Sequence, residues 1–282
     1  MPDFAPRHRA RKRFGQHFLT DPAVIHRIIA TLAPQAGDAL VEIGPGTGAL
    51  TAPVIAQGHH LIAIEIDRDL AAQLRHRYPE KDLTLINVDV LHFDFCALSR
   101  TMGQRLRVVG NLPYNISSPI LFYLAQAAHA ISDIQVMLQK EVAQRLIAPP
   151  GSSAYGRLSV MLQYHFHIEC LFSVPPDAFD PPPQVDSAIV RLIPRSAPQR
   201  SLVNEDALSL VVSTAFAQRR KTLRNTLRSL FDDKALLRLG LDPNTRAQTL
   251  SLAQYIKLAD ALALRQEGQT HQPGTKVAIT GA

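Results

Sequence analysis

Short apolar runs alternate with stretches of helical spacing through the first half of this 282-residue chain, and that alternation restricts the fold most. The runs are Leu40–Ile43, Leu61–Glu65, Leu83–Val88, Leu106–Gly110 and Ile134–Leu138. Between them lie segments such as Asp69–His76 and Pro119–Ala128 with helical periodicity. Such an order predicts an α/β domain, a mostly parallel sheet with helices on both faces. Two later runs, Val160–Ile168 and Ser187–Ile193, have no comparable helix between them and predict an antiparallel hairpin at one edge.

Past residue 194 the pattern changes. Pro194–Ser201 reads as a linker, after which Leu208, Val211, Val212, Ala215 and Phe216 fall on one helical stripe. Leu223, Leu227 and Leu230 repeat that spacing, and further helices are expected at Ala235–Leu239 and Leu252–Leu264. The expected organisation is a basic arm (1–20), a sheet domain (21–194), a small helical domain (201–265) and a polar, disordered tail (266–282).

With 46% hydrophobic residues the chain can bury a large core beside a smaller one. No apolar run reaches membrane-spanning length, and no leader-like segment opens the chain. Cys96 and Cys170 lack metal-ligand spacing, so no metal is expected and a reduced, cytoplasmic setting is. The net charge of +6 favours a polyanionic partner. Arg7, Arg9, Arg11, Lys12 and Arg13 crowd the N-terminus, as a phosphate-binding arm or a merely solvated end would.

Two loops carry the chemistry. Gly44-Pro45-Gly46-Thr47-Gly48 follows the first run, where glycines admit a ligand close to the backbone and a helix start offers free N–H groups. Glu65, about twenty residues on, is placed to accept both hydroxyls of a ribose. Asp67 competes for that role or caps the next helix, and Asp89 is placed to accept an adenine amine. Asn111-Leu112-Pro113-Tyr114 supplies an amide, stiffened carbonyls and an aromatic plane. The Asn111 side-chain oxygen can accept one N–H of an exocyclic amine, and the Leu112 or Pro113 carbonyl the other. Tyr114 can stack on the base, worth roughly 1–3 kcal/mol. A proline turn closing a strand is the plainer reading of the tetrapeptide alone. S-adenosylmethionine suits both loops better than NAD, because it brings ribose and adenine without pyrophosphate and a methyl electrophile for a bound amine.

These segments together resemble the ribosomal RNA adenine N6-dimethyltransferases. The likeness extends over Arg13–Leu19, Val41–Gly48, Asn111–Ser117, Phe179–Ser187 and Gln218–Leu223. It implies a class I methyltransferase fold with a seven-stranded sheet and a C-terminal helical domain. The cofactor contacts it implies fall on His17, Leu19, Gly44, Glu65, Asp89 and Asn111. His17 stands where some members have asparagine, which leaves a backbone contact as the surer role. The implied substrate is two adjacent adenosines in the 3′-terminal hairpin of small-subunit (16S) rRNA, within the 30S subunit, each receiving two methyl groups by direct displacement on a sulfonium methyl. No acid–base residue is needed before attack. Phe179 is the candidate for the second face of the base, with an ordinary core phenylalanine as the alternative.

Lys221, Arg224 and Arg228 fall at i, i+3 and i+7, and with Arg219 and Arg220 they form a candidate RNA-binding stripe. A solvated basic face is the plainer alternative. His165 and His167 are read as structural, and a monomer is expected. Two other functions fit less of the sequence: an RNA-binding assembly factor without turnover, and a methyltransferase for DNA or small molecules.

Overall fold

The computed structural model of the protein describes residues 17–196 and 204–270, with side chains described to residue 265. Arg11, Lys12, Arg13 and the rest of the basic arm up to residue 16 lie outside the described residues. Two units divide the chain, residues 17–148 with 162–196, and residues 149–161 with 204–270. A linear division at residue 194 does not provide for this, since 149–161 goes with the helical unit.

The first unit opens with β1 (Phe18–Leu19), α1 (Pro22–Leu32), β2 (Ala39–Ile43), α2 (Thr51–Ala56), β3 (Leu61–Ile64) and α3 (Arg68–Arg77). It continues with β4 (Leu83–Ile86), α4 (Phe95–Met102), β5 (Leu106–Asn111), α5 (Ser117–Gln126), β6 (Ile131–Gln139) and α6 (Lys140–Ile147). Helix α7 (Arg157–His165), β7 (Phe166–Val174), β8 (Phe179–Asp180) and β9 (Ser187–Pro194) complete it, the unit boundary falling inside α7.

The sheet order is β4-β3-β2-β5-β6-β9-β7, parallel from β4 through β6 and antiparallel at β9 and β7. Central strands are mainly apolar because helices cover both faces, and every residue of β2 and β3 is buried, Glu42 included. The chain runs outward from β2 to β4, then returns to place β5 on the other side of β2. Loops after β2 and β5 therefore diverge at the carboxyl edge, leaving a crevice where ligands of such sheets bind.

Two neighbours at this switch point approach unusually closely. Gly110 pairs with Ile43, and a Cβ added to Gly110 would lie 2.5 Å from the Ile43 backbone oxygen. Only glycine fits without moving a strand. Gly110→Ala is expected to cost about 1–3 kcal/mol through overpacking and to displace Asn111. A lower urea midpoint checks this; an unchanged midpoint would contradict it.

The edge hairpin forms as expected from Ser187 onward, but the run from Val160 does not. Residues 157–165 are helical, and β7 begins only at Phe166. Alternation at Val160, Leu162 and Tyr164 imitates a strand, whereas Leu158, Met161, Leu162 and His165 are buried at helical spacing. The Ser159 hydroxyl accepts the Gly156 N–H at 3.0 Å near the helix start.

The second unit contains α8 (Glu205–Phe216), α9 (Leu223–Thr226), α10 (Asp233–Arg238) and α11 (Leu252–Thr270). Asn204 caps α8 by accepting the Ala207 N–H, and Leu208, Val211, Val212 and Ala215 are buried as their spacing predicts. Tyr155 and Tyr255, both buried, pack on Phe216. Two expectations need correction. Helix α9 has four residues, because the Leu230 N–H closes on the Leu227 carbonyl and the chain turns. Lys221 and Arg228 thus lie outside it. The tail expected from residue 266 is helical as far as Thr270; beyond that it lies outside the described residues.

Candidate active site

A cleft of about 970 Å³, its open mouth included, lies at the carboxyl edge of β2, β3 and β5. Gly44, Gly46 and Gly48 all have positive φ, at 65°, 58° and 90°, so the loop turns as residues with side chains rarely can. At Gly46 a Cβ would meet the Phe18 ring at 3.2 Å, so the segment carrying β1 covers the loop.

Glu65 follows β3 directly and is 5% exposed. Its Oε2 accepts the Gly46 N–H at 3.2 Å and its Oε1 the Asp67 N–H at 2.8 Å. The Asn87 amide donates to the Glu65 carbonyl at 2.6 Å, which fixes the backbone too. Both carboxylate oxygens keep further lone pairs for ligand hydroxyls. Asp67, the competing candidate, accepts the Asp69 N–H and caps α3. Asp89 lies beyond the end of β4 rather than on it. Its Oδ1 accepts the Leu91 N–H at 2.9 Å, with Oδ2 4.0 Å from His92.

On the other wall, Asn111 ends β5. Its Nδ2 donates to the His17 carbonyl at 2.9 Å, and its Oδ1 has no partner among the described residues. The Pro113 carbonyl accepts the Ile116 N–H, and the Leu112 N–H donates to Met137. Of the two carbonyls considered as second acceptor, Leu112 is therefore the uncommitted one. Tyr114 shares a 2.5 Å hydrogen bond with the Ser187 hydroxyl, and its ring stacks on His17 with centroids 5.5 Å apart. Burial raises the Tyr114 phenol, so it stays protonated at neutral pH. His17 Nδ1 lies 2.7 Å from the Pro181 carbonyl and donates to it.

Leu19 is 4% exposed yet reaches the cleft wall. Phe179 does not line the cleft. It pairs with Leu19 across β1 and β8, is 4% exposed, and packs in the hydrophobic core.

The basic residues of the helical unit divide into two groups. Arg219 Nη2 donates to the Ser153 carbonyl and, at 3.1 Å, to that of Tyr155. Arg224 pairs with Asp233 at 2.8 Å. Arg220 is exposed, while Lys221 and Arg228 line a recess with Gln218 and Asn225. The continuous stripe expected from the spacing is not formed.

The sequence profile of the ribosomal RNA adenine dimethylase family matches residues 7–264. The chain belongs to that family. Ribosomal RNA small subunit methyltransferase A of Thiobacillus denitrificans is 52% identical over 258 residues, 92% of this chain and 100% of that one. The Bordetella petrii protein of the same name is 53% identical over 259 residues, 91% of this chain and 96% of its own. Among solved structures, a dimethyladenosine transferase from Plasmodium falciparum superposes with a TM-score of 0.75 at 26% identity, over 89% of this chain and 98% of that one. The 23S rRNA methyltransferase ErmE gives 0.65 at 25% identity, covering 87% and 99%.

This dimethylase also carries site residues that the sequence did not single out. Ile66, 46% exposed, gives the cleft an apolar wall beside Glu65. Glu42 lines the cleft at 2% exposure, and its Oε2 accepts the Thr51 hydroxyl at 2.6 Å. It lay hidden in an apolar strand, where an acid is the one irregularity. Burial pushes its carboxyl up from 4.5 to about 7, Thr51 lowers it and Glu65 raises it. The folded chain then holds a proton that the unfolded chain releases between these values. That contribution is complete below pH 4.5 and is lost as pH rises through about 7, for about 3 kcal/mol. Urea unfolding should show stability falling between pH 5 and pH 8 more in the native chain than in Glu42→Gln. Equal pH dependence in the two would contradict the assignment.

Proposed function

We propose that the chain uses S-adenosylmethionine to dimethylate N6 of two adjacent adenosines in the 3′-terminal hairpin of small-subunit rRNA. The observation that carries this is the division of labour at Asn111. Its amide nitrogen is tied to His17, which leaves Oδ1 and the neighbouring Leu112 carbonyl as uncommitted acceptors on two residues that line the glycine-loop cleft.

The residues fit the cofactor. Glu65 is held by two backbone N–H groups and suits the ribose hydroxyls, Asp89 the adenine amine, and Ile66 the base's apolar face. Gly44 and the 17–19 segment leave room for the amino-acid portion, with the Leu19 and His17 backbone alongside. When bound, the cofactor supplies an electrophilic sulfonium methyl. The chain's own part is to hold the incoming amine. An adenine amine is a weak nucleophile because its lone pair is delocalised into the ring. Two acceptors on its hydrogens orient it and favour localisation of that pair on nitrogen. Fixing such geometry contributes up to about 7–11 kcal/mol in well-aligned reactions. Tyr114 offers a stacking face, its hydroxyl already engaged by Ser187. Among the described residues no cluster of His, Cys, Asp and Glu is built to hold a metal.

Of the five candidate cations Arg219, Arg220, Lys221, Arg224 and Arg228, the two with partners are Arg219 and Arg224, so Arg220, Lys221 and Arg228 are left among them to meet RNA phosphates. Lys221→Ala and Arg228→Ala should each lower the salt dependence of RNA binding by about one unit of slope. Arg219→Ala should instead loosen the 151–155 loop and lower the melting temperature. Filter binding across a salt series checks the first claim, and an unchanged slope would contradict it. The reading takes the enzyme as a monomer acting on 30S subunits in the cytoplasm; no described helix is long and apolar enough to cross a membrane.

Incubation with labelled methyl donor and undermethylated small subunits, followed by mapping, tests the proposal. Label on two adjacent adenosines near the rRNA 3′ end is expected. Label elsewhere, or binding without transfer, would overturn it.

A further inference from the structure

Ser187 opens β9, the strand that runs against β6. Because β9 is antiparallel, its first residue, rather than its last, arrives at the carboxyl edge of the parallel strands. Ser187 pairs with Gln139, at the end of β6, while Asn111 pairs with Met137 on the same strand. The serine is thus brought to the rim of the site from 73 residues beyond Tyr114, and it is wholly buried.

Its surroundings are rigid. The Lys140 backbone N–H donates to the Asp186 carbonyl at 2.9 Å, and the Lys140 ammonium pairs with the Asp186 carboxylate at 2.9 Å. On the far side Ser187 also pairs with Val174 of β7. A hydroxyl fixed in this way is a reference point. It meets the Tyr114 phenol at 2.5 Å, while His17, anchored to the Pro181 carbonyl, covers one face of the same ring. The phenol has no other hydrogen-bond partner among the described residues. One end of the ring and one of its faces are therefore set by residues outside the Asn111–Tyr114 turn.

We propose that Ser187 is a positioning residue for methyl transfer, acting through the Tyr114 hydroxyl to fix the plane on which the target adenine stacks. The inference rests on the reading of Tyr114 as the stacking surface. It assigns Ser187 no contact with substrate. Burial of the phenol, which keeps it protonated, is consistent with a hydrogen bond that persists through the working pH range.

The test is a double-mutant cycle on the full chain, with undermethylated small subunits as substrate and kcat, KM and cofactor affinity as readouts. Ser187→Ala and Tyr114→Phe each remove the same bond, one from the sheet and one from the rim. Each should lower kcat about 5–10-fold, with cofactor affinity unchanged. The double variant should be no slower than the slower single variant. A structural role for Ser187 would make the two effects multiply, which would overturn the inference. So would a native kcat in either single variant, and Tyr114→Phe keeps that test available if Ser187→Ala fails to fold. Tyr114→Ala separates the two levels. Native turnover in Tyr114→Ala removes the stacking reading and this inference together. Its loss, with native turnover in Ser187→Ala, removes only the inference.

Discussion

Asn111→Ala is expected to reduce methyl transfer by about 10³-fold, the scale seen when a preorganised hydrogen-bonding group aimed at the transition state is deleted, with RNA affinity preserved. The side chain does two things at once. In the proposed reading its Oδ1 accepts the substrate amine, while its Nδ2 donates to the His17 carbonyl at 2.9 Å. Alanine removes both, so the amine loses an acceptor and the 17–19 segment loses its tie to β5. Asn111→Asp separates the two roles. It keeps an acceptor but sets a carboxylate oxygen against the His17 carbonyl, where two acceptors repel. Single-turnover rates on undermethylated subunits should fall for both variants, with filter binding to RNA unchanged. Native turnover in Asn111→Ala would refute the assignment.

The second large effect is expected at Glu65. Glu65→Ala should weaken S-adenosylmethionine binding about 100-fold, which is the loss of roughly 3 kcal/mol in charge-assisted hydrogen bonds to the ribose. The carboxylate also organises the protein, since it accepts the N–H groups of Gly46 and Asp67. Glu65→Gln tests this second role, because an amide has one acceptor oxygen where the carboxylate has two. It cannot hold both N–H groups and bind the ribose as well. Its cofactor affinity should lie between those of the native chain and Glu65→Ala. Calorimetric titration with the product S-adenosylhomocysteine measures both variants. Native affinity in Glu65→Ala would mean that the ribose lies elsewhere.

Much of this was legible from local pattern. Parallel strands announce themselves as continuous apolar runs, and the positions of Gly44–Gly48, Glu65 and Asn111 follow from where those runs stop. Helix α3 could be placed from its spacing, and Asp67 as its possible cap. What remained hidden was hidden for physical reasons. Val160–Tyr164 carries two periodicities at once, and only tertiary burial of Leu158 and Met161 decides between them. The basic stripe assumed one unbroken helix from Lys221 to Arg228, whereas the chain turns after Thr226 and Arg219 and Arg224 find partners within the helical unit. Phe179 was left between rim and core, and its register opposite Leu19 places it in the core. Ser187 and Gly110 owe their importance to pairing across strands, which a linear reading does not contain. The family profile and the relatives at about 50% identity bear out the fold, the cofactor and the adenine-dimethylase activity.

The account stands on where the substrate amine rests, and a structure of the chain with S-adenosylhomocysteine and the rRNA hairpin measures that directly. The exocyclic nitrogen of an everted adenine should lie about 3 Å from both Asn111 Oδ1 and the Leu112 carbonyl oxygen, facing the sulfur. An adenine bound with that nitrogen turned from both acceptors, or lodged outside the cleft, would contradict it.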